Sequence, residues 1–131
     1  MEKIYIRTQK KNELVDITKI IKKTVEEQSV KDGFCIVYCP HTTGGVTINE
    51  NFDESVKVDI SFSLNEISPD YPQFRHAEEN SDAHVKSSLI GCSETILIEN
   101  GKIMLGQWQG IFFTEFDGPR HREVWIKIVG N

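Results

Sequence analysis

The chain has 131 residues, a formal net charge of −5 and a hydrophobic fraction of 38%. This length is typical of one domain, and the hydrophobic fraction is sufficient for a core without disulfide or metal staples. The negative charge argues against wholesale nucleic-acid binding. No apolar run approaches the roughly 20 residues that cross a membrane. We therefore expect a single domain over residues 1–131, with neither a nucleic-acid nor a membrane partner.

The first residues and the cysteines indicate a cytoplasmic protein. The stretch M-E-K-I-Y-I-R has no apolar signal-peptide segment. The chain has three cysteines, an odd number. Cys35 and Cys39 lie too far apart along one predicted strand to pair with each other. We interpret both as small buried hydrophobic residues.

Strands and helices alternate in the first half of the chain. Residues 2–8 alternate apolar and polar side chains, as a half-buried strand does. Residues 14–29 are predicted as a helix, because their apolar positions fall near one face. The apolar run 34–39 predicts a buried strand, and 46–48 a short one. A second helix is expected from Asp53, its N-cap, to about Leu64.

The second half contains a polar loop, a short helix and then four strands. The helix is predicted from Asn80 or Ser81, either of which suits an N-cap, to Gly91. The sequence Asn100-Gly101 is a strong signal for a two-residue hairpin. Four strands are expected around it and after it, at residues 94–99, 102–105, 111–116 and 123–129. This order predicts an α+β fold with mostly antiparallel sheets.

Polar side chains gather in three clusters at the ends of these predicted elements. The clusters lie at residues 41–53, 76–88 and 107–122. His41, His76 and His84 are candidate metal ligands, since imidazole suits zinc, nickel and similar divalent ions. His76 and His84 are eight residues apart, so the fold would have to assemble the site. The alternative is that the histidines are unrelated surface residues, and His121, between two arginines, is the weakest candidate.

Two further functions are predicted from residue types. Glu50 is a candidate general base or metal ligand, although an acid that precedes a helix more often serves capping or the helix dipole. Hydroxyl donors, a cation and a helix start indicate phosphate binding, and the candidates are Thr42, Thr43, Lys86, Ser87 and Ser88. No P-loop or G-x-G-x-x-G motif is present, so nucleotide binding is not expected.

Three long motifs occur in order along the chain: H-T-T-G-G-V-T-I-N-E-N-F-D, H-A-E-E-N-S-D-A-H-V-K-S-S-L-I-G and L-G-Q-W-Q-G-I-F-F-T-E-F-D-G-P-R. Together they resemble the YjbQ family, some members of which are described as secondary thiamine-phosphate synthases. The resemblance covers essentially the whole chain. It departs at Gln107, where the family usually has a small residue.

The resemblance implies a compact β-sandwich domain with two to three helices, which assembles as a homotrimer with pockets near the subunit boundaries. It implies a metal site at His41, His76 and His84, with Glu50 and His84 as catalytic groups. Zinc suits three histidines, and Mg²⁺ suits the phosphates of a thiamine-phosphate reaction. The substrate ligands it adds are Asn51, Gln109 and Arg122.

Three hypotheses follow from these features. The first is a metal-dependent enzyme that acts on a small phosphorylated substrate and resembles thiamine-phosphate synthase. The second is a non-catalytic protein that binds a metal or a small anion as a sensor or reservoir. The third gives the histidines a structural function in the trimer.

Overall fold

The computed structural model describes residues 1–131 and contains eight strands and three helices. The strands are β1 (Glu2–Arg7), β2 (Glu13–Asp16), β3 (Gly33–Tyr38), β4 (Gly44–Glu50), β5 (Ser93–Glu99), β6 (Lys102–Ile103), β7 (Gln109–Glu115) and β8 (His121–Gly130). The helices are α1 (Thr18–Glu27), α2 (Glu54–Ile67) and α3 (Ser81–Ile90). None of them is both long enough and apolar enough to cross a membrane.

Two antiparallel sheets pack face to face. The larger has the strand order β1-β8-β3-β5-β6 and the smaller has the order β2-β7-β4. Alternate residues of both sheets point into the space between them, and they include Val37, Ile126, Val46 and Phe113. Helix α1 closes one side of this core with Ile21 and Val25, which are fully buried. The predicted α+β fold, with a mostly antiparallel sandwich, is confirmed.

The outer face of the smaller sheet is covered by α2 and α3. Phe116 follows β7 and packs there against Leu64 of α2 and Ala83 of α3. Asp53 is the N-cap of α2, as predicted, and its Oδ1 accepts the Ser55 N–H at 2.9 Å. These helices therefore lie on the opposite side of the smaller sheet from the sandwich core.

The helix predicted over residues 14–29 is wrong in its first turn. Residues Glu13–Asp16 form β2, which pairs with β7, so that Leu14 lies opposite Thr114. The apolar pair Leu14-Val15 is compatible with either a helix or a strand. The strand forms because these residues pair with the buried strand β7. Asp16 then accepts the Thr18 N–H at 2.9 Å, and α1 begins at Thr18.

Other boundaries shift without changing the topology. Strand β4 begins two residues before the predicted 46–48 and ends two residues after it, because β7 pairs along its whole length. The hairpin at Asn100-Gly101 is confirmed, with both residues at positive φ, 53° and 76°. Its second strand, β6, has only two residues rather than four. Helix α2 continues three residues beyond Leu64.

Gly45 provides a test of how closely α3 approaches the smaller sheet. A Cβ at Gly45 would lie 2.5 Å from the Gly91 carbonyl oxygen, which accepts the Val46 N–H at 3.2 Å. Backbone on both sides cannot yield without loss of packing, so we expect Gly45→Ala to destabilise the fold by about 1–3 kcal/mol. Chemical denaturation measures this free energy.

Gly106→Ala is the matched control. Its Cβ would lie 3.2 Å from the end of the flexible Gln109 side chain, at an ordinary φ. We expect a change within about 0.5 kcal/mol. Equal effects of the two substitutions would show that α3 does not constrain β4 in this way.

Candidate functional site

A polar cavity of about 420 Å³ lies where the three predicted clusters meet at one end of the sandwich. The segment after β3, the loop before α3 together with its first turn, and the start of β8 provide its walls. Pro40 apart, its lining side chains are all polar or charged. The lining residues are Pro40, His41, Thr42, Thr43, His76, Glu78, Asn80, His84, Arg120 and Arg122. The three candidate histidines therefore share one cavity, together with two arginines.

His41 is held in one protonation form. Its Nε2 accepts the Glu123 N–H at 2.9 Å, so this nitrogen carries a lone pair and no proton. Burial, and then the charge of Arg122, lower the pKa of His41. A neutral imidazole whose Nε2 is an acceptor carries its proton on Nδ1. His41 is thus a hydrogen-bond donor through Nδ1–H, and that group bonds nothing within the chain.

His76 and His84 pack edge to face in the wall of the cavity. Their ring centroids are 5.2 Å apart and the rings are perpendicular. His84 is in the first turn of α3, and His76 Nε2 lies 3.8 Å from Glu78 Oε2. The fold therefore brings together the two histidines that are eight residues apart in sequence.

A buried ion pair lies behind these histidines. Glu115 and Arg122 are 0% and 5% exposed, and Arg122 Nε donates to Glu115 Oε1 at 2.9 Å. The second guanidinium nitrogen, Nη2, also bonds Glu115 and donates to Thr43 Oγ1 at 2.8 Å. Thr8 donates to Glu115 at 2.6 Å. Burial would raise the pKa of Glu115, but the hydrogen bonds from Arg122 and Thr8 outweigh it and hold that pKa below its usual value.

Arg122 is therefore only partly available to a ligand. Its Nε and Nη2 are engaged by Glu115 and Thr43, whereas Nη1 bonds no group of the protein. Thr43 is buried, and its hydroxyl oxygen accepts a hydrogen bond from Arg122. Its side chain therefore helps to position Arg122 more than it contacts the cavity. Of the predicted phosphate ligands, Thr42, Thr43 and Arg122 reach this cavity.

Arg120 and Asn80 line the cavity and were not among the predicted ligands. Arg120 Nη2 and Asn80 Nδ2 both donate to Asp117 Oδ2, at 2.8 and 2.7 Å. Asn80 is 6% exposed, and its Oδ1 has no hydrogen-bond partner in the protein. A buried amide oxygen normally has a partner, so this oxygen is an unsatisfied acceptor on a residue that lines the cavity. Their positions in the polar clusters were the only sequence signal for them.

Lys86, Ser87 and Ser88, which are predicted phosphate ligands, do not line this cavity. Lys86 is 1% exposed, and its ammonium donates to Asn12 Oδ1 at 3.1 Å and Asn65 Oδ1 at 2.5 Å. Burial lowers the pKa of this group. Ser87 donates to the Gly44 carbonyl at 2.6 Å, and Ser88 to the His84 carbonyl at 3.0 Å. Lys86, two residues after His84, projects from the opposite side of α3, whereas Ser87 and Ser88 lie one turn beyond His84 along the helix, and their hydroxyl groups bond backbone carbonyls.

Glu50, Asn51 and Gln109 lie at the far end of β4. Glu50 pairs with Gln109, and Gly44 lies at the other end of the same strand. Six residues of strand span about 20 Å. Asn51 Nδ2 donates to Asp16 Oδ2 at 3.2 Å. Within one chain, the predicted general base Glu50 is therefore not placed with the histidines.

A three-histidine metal site is not formed by this arrangement. No group of three His, Cys, Asp or Glu side chains is placed to hold a metal ion. The Nε2 lone pair of His41 is engaged by Glu123, and a neutral imidazole ligates a metal through a nitrogen that carries no proton. What the cavity offers is hydrogen-bond donors and positive charge, which suit an anion.

The buried ion pair can be tested by removing the charge of one partner. We expect Glu115→Gln to lower the free energy of unfolding by roughly 3–5 kcal/mol, because it leaves Arg122 buried without compensation. Chemical denaturation measures the loss. The double variant Glu115→Leu with Arg122→Met removes both charges and should lose less stability. A greater loss in the double variant would contradict the argument.

The lowered pKa of His41, caused by burial and by the charge of Arg122, predicts a pH effect on stability. Because the folded pKa of His41 is lowered, its contribution to stability is complete above the unfolded value of about 6.5 and is lost as the pH falls below it. We expect the unfolding free energy of the wild type to fall more steeply from pH 7.5 to pH 5 than that of His41→Gln. The Gln amide oxygen accepts the Glu123 N–H without titrating. Parallel pH profiles of the two proteins would refute this.

Comparison with known sequences extends over the full chain. A model of the family described as UPF0047 protein YjbQ-like matches residues 2–131. The UPF0047 protein of Methanocaldococcus jannaschii is 57% identical over 129 residues, which cover 98% of this chain and 94% of that protein. The UPF0047 protein YugU of Bacillus subtilis is 44% identical over 131 residues, which cover 99% of both proteins.

Solved structures agree with the fold. An uncharacterized conserved protein of the YjbQ/UPF0047 family from Clostridium acetobutylicum has a TM-score of 0.96 at 50% identity, covering 98% of this chain and all 100% of that chain. A YbjQ-like protein of unknown function from Sulfolobus solfataricus has a TM-score of 0.95 at 31% identity, covering 99% of this chain and 96% of that chain. The chain therefore belongs to the YjbQ (UPF0047) family.

Proposed function

We propose that this protein binds a small phosphorylated molecule in the polar cavity and acts on it as an enzyme. The observation that supports the proposal is that three donors without a partner in the protein belong to residues that line one cavity: His41 Nδ1–H, Arg122 Nη1 and Arg120 Nη1, whose neighbours Nε and Nη2 are bonded to Asp117. Charge-assisted hydrogen bonds from such groups hold phosphate oxygens. Thr42 lies among them with its hydroxyl. A phosphate here would occupy a site of positive charge whose shape is fixed by the ion pair behind it.

The proposed chemistry uses the paired histidines. His76 and His84 lie 5.2 Å apart between ring centroids, beside the phosphate position. They are the groups that would donate or remove a proton as a bond to the substrate breaks or forms. The named reaction closest to this proposal is thiamine-phosphate synthesis, in which the thiazole nitrogen forms a bond to the methylene carbon attached to the pyrimidine as the C–O bond to pyrophosphate breaks and pyrophosphate leaves. Donors that stabilise the charge of the departing phosphate lower such a barrier.

The homotrimer belongs to this proposal, as does a cytoplasmic location. Glu50 lies about 20 Å along β4 from the cavity end of its own chain. It reaches a bound substrate only if a neighbouring subunit supplies it. In the proposed trimer, the end of one chain that carries Glu50, Asn51 and Gln109 would therefore adjoin the cavity of the next.

The metal-dependent form of the proposal requires a rearrangement. His76 and His84 are close enough to share an ion, whereas His41 would first have to give up its bond to Glu123. Zinc remains the predicted ion. Elemental analysis of protein purified without an affinity tag, as wild type and as His84→Ala, tests it: near-stoichiometric zinc that is lost in the variant would establish the site.

Arg120 provides the test of phosphate binding. We expect Arg120→Gln to weaken the binding of inorganic phosphate about 10-fold or more, because a hydrogen bond from a charged group contributes roughly 1.5–3 kcal/mol. Isothermal titration calorimetry measures this affinity. Lys102→Gln, at the exposed strand β6 away from the cavity, removes the same charge and should change the affinity little. Equal affinity of Arg120→Gln and the wild type would reject the proposed site.

A turnover assay distinguishes the proposed enzyme from the hypothesis of a non-catalytic binding protein. The wild type and His84→Gln are incubated with a pyrimidine-methyl pyrophosphate and a thiazole phosphate, and the release of pyrophosphate is followed. We expect release by the wild type and a loss of at least 100-fold in the variant, which is the usual scale of general acid–base catalysis. Phosphate binding without any product would favour the sensor or reservoir.

A further inference from the structure

A second cavity adjoins the first across His41 and Arg122. Its volume is about 380 Å³, and the additional residues that line it include Tyr5, Arg7, His121 and Glu123. His41 and Arg122 line both cavities. The two cavities are therefore neighbours that share these two residues in their linings, an arrangement that allows one ligand to occupy both.

The register of β1 and β8 explains which residues meet in this second cavity. Arg7 lies opposite His121, and Tyr5 lies opposite Glu123. Directly opposite residues on one sheet face have Cβ atoms about 4.5–5.5 Å apart. These four side chains stand on the outer face of the larger sheet, because their neighbours Ile6 and Arg122 point inward. They form two adjacent cross-strand pairs next to His41.

Arg7 and His121 are two basic side chains without an acidic partner. Neither forms a hydrogen bond or an ion pair within the chain, in contrast to Arg120 and Arg122, which are both paired with carboxylates. The guanidinium presents a planar fork of donors, and the imidazole adds another donor beside it. Side by side, they fit a carboxylate or a phosphate.

The other two residues define the rest of the cavity. Tyr5 is 74% exposed and provides an apolar ring wall. Glu123 is the only acid that lines this cavity, and its Oε1 already accepts the Trp125 Nε1–H at 3.4 Å. Its backbone N–H holds His41. Glu123 therefore connects the second cavity to the orientation of the histidine that forms the shared wall.

From these contacts we infer that the ligand of this protein carries two separate anionic groups. One is the phosphate in the polar cavity, and the other is a carboxylate or a second phosphate held by Arg7 and His121. This inference rests on the proposed function, because the first group is the phosphate of that proposal. It assigns His121, the histidine with the weakest sequence signal, to substrate selection.

Three probes test the inference by calorimetry. Glycerol 3-phosphate carries one anionic group, 3-phosphoglycerate carries a phosphate and a carboxylate, and propane-1,3-diol bisphosphate carries two phosphates. We expect the wild type to bind at least one of the two doubly anionic probes 10-fold or more tightly than glycerol 3-phosphate. Which of the two binds more tightly identifies the second group.

Substitutions then locate the second group. Arg7→Gln and His121→Gln should each reduce or abolish the preference for the doubly anionic probe and leave the affinity for glycerol 3-phosphate unchanged. Lys127→Gln is the matched control, since it removes a positive charge from the outer face of β8 outside both cavities. It should keep the preference.

The outcomes distinguish this inference from the proposed function. Binding of glycerol 3-phosphate with no preference for either doubly anionic probe overturns the inference and leaves the proposed function standing. A preference that persists in both Arg7→Gln and His121→Gln also overturns it. If the wild type binds none of the three probes, the proposed function fails and the inference fails with it.

Discussion

The buried ion pair of Glu115 and Arg122 is the constraint on which the site depends. Glu115 is the last residue of β7 in the smaller sheet and Arg122 is the second residue of β8 in the larger one, so the pair joins the two sheets at one end of the sandwich. Burying two charges away from water costs free energy unless both groups have all their hydrogen-bond partners. Here Thr8, Thr43 and two backbone N–H groups complete them. The segments that provide these donors are therefore fixed around the pair.

The geometry of the cavity follows from that arrangement. Once Arg122 points inward, strand alternation turns His121 outward and places the Glu123 N–H beside His41. Arg122 also lies 6.0 Å from the Phe113 ring centroid, against which His41 packs edge-on. The N–H donor and the ring fix the orientation of His41, and burial together with the Arg122 charge favours its neutral form. The ion pair thus determines what His41 offers to a ligand without itself reacting.

Most of the strands and the convergence of the three histidines could be predicted from the sequence. The predictions that differ from the structure all depend on contacts between residues that are distant in sequence. Alternation and the Asn100-Gly101 turn predicted the later strands, and the family motifs predicted that the three histidines converge. The strand at Glu13–Asp16 was missed because two apolar residues have no period, and only pairing with β7 decides their conformation. Lys86 was assigned to phosphate because its charge is visible in sequence, whereas its burial against Asn12 and Asn65 is not. Glu50 lay near His41 in sequence, but an extended strand carries nearby residues far apart.

The arrangement of side chains in the cavity is better suited to the proposed anion than to a metal ion. A metal ion that recruits His41 through Nε2 must break the bond to Glu123 and leave a partly buried N–H unsatisfied, which costs about 1–3 kcal/mol. An anion uses the Nδ1–H that is already present and requires no such change. The charge of Arg122 acts in the same direction, since it repels a cation and attracts an anion. A metal site here would therefore have to gain enough from His76 and His84 to offset both costs.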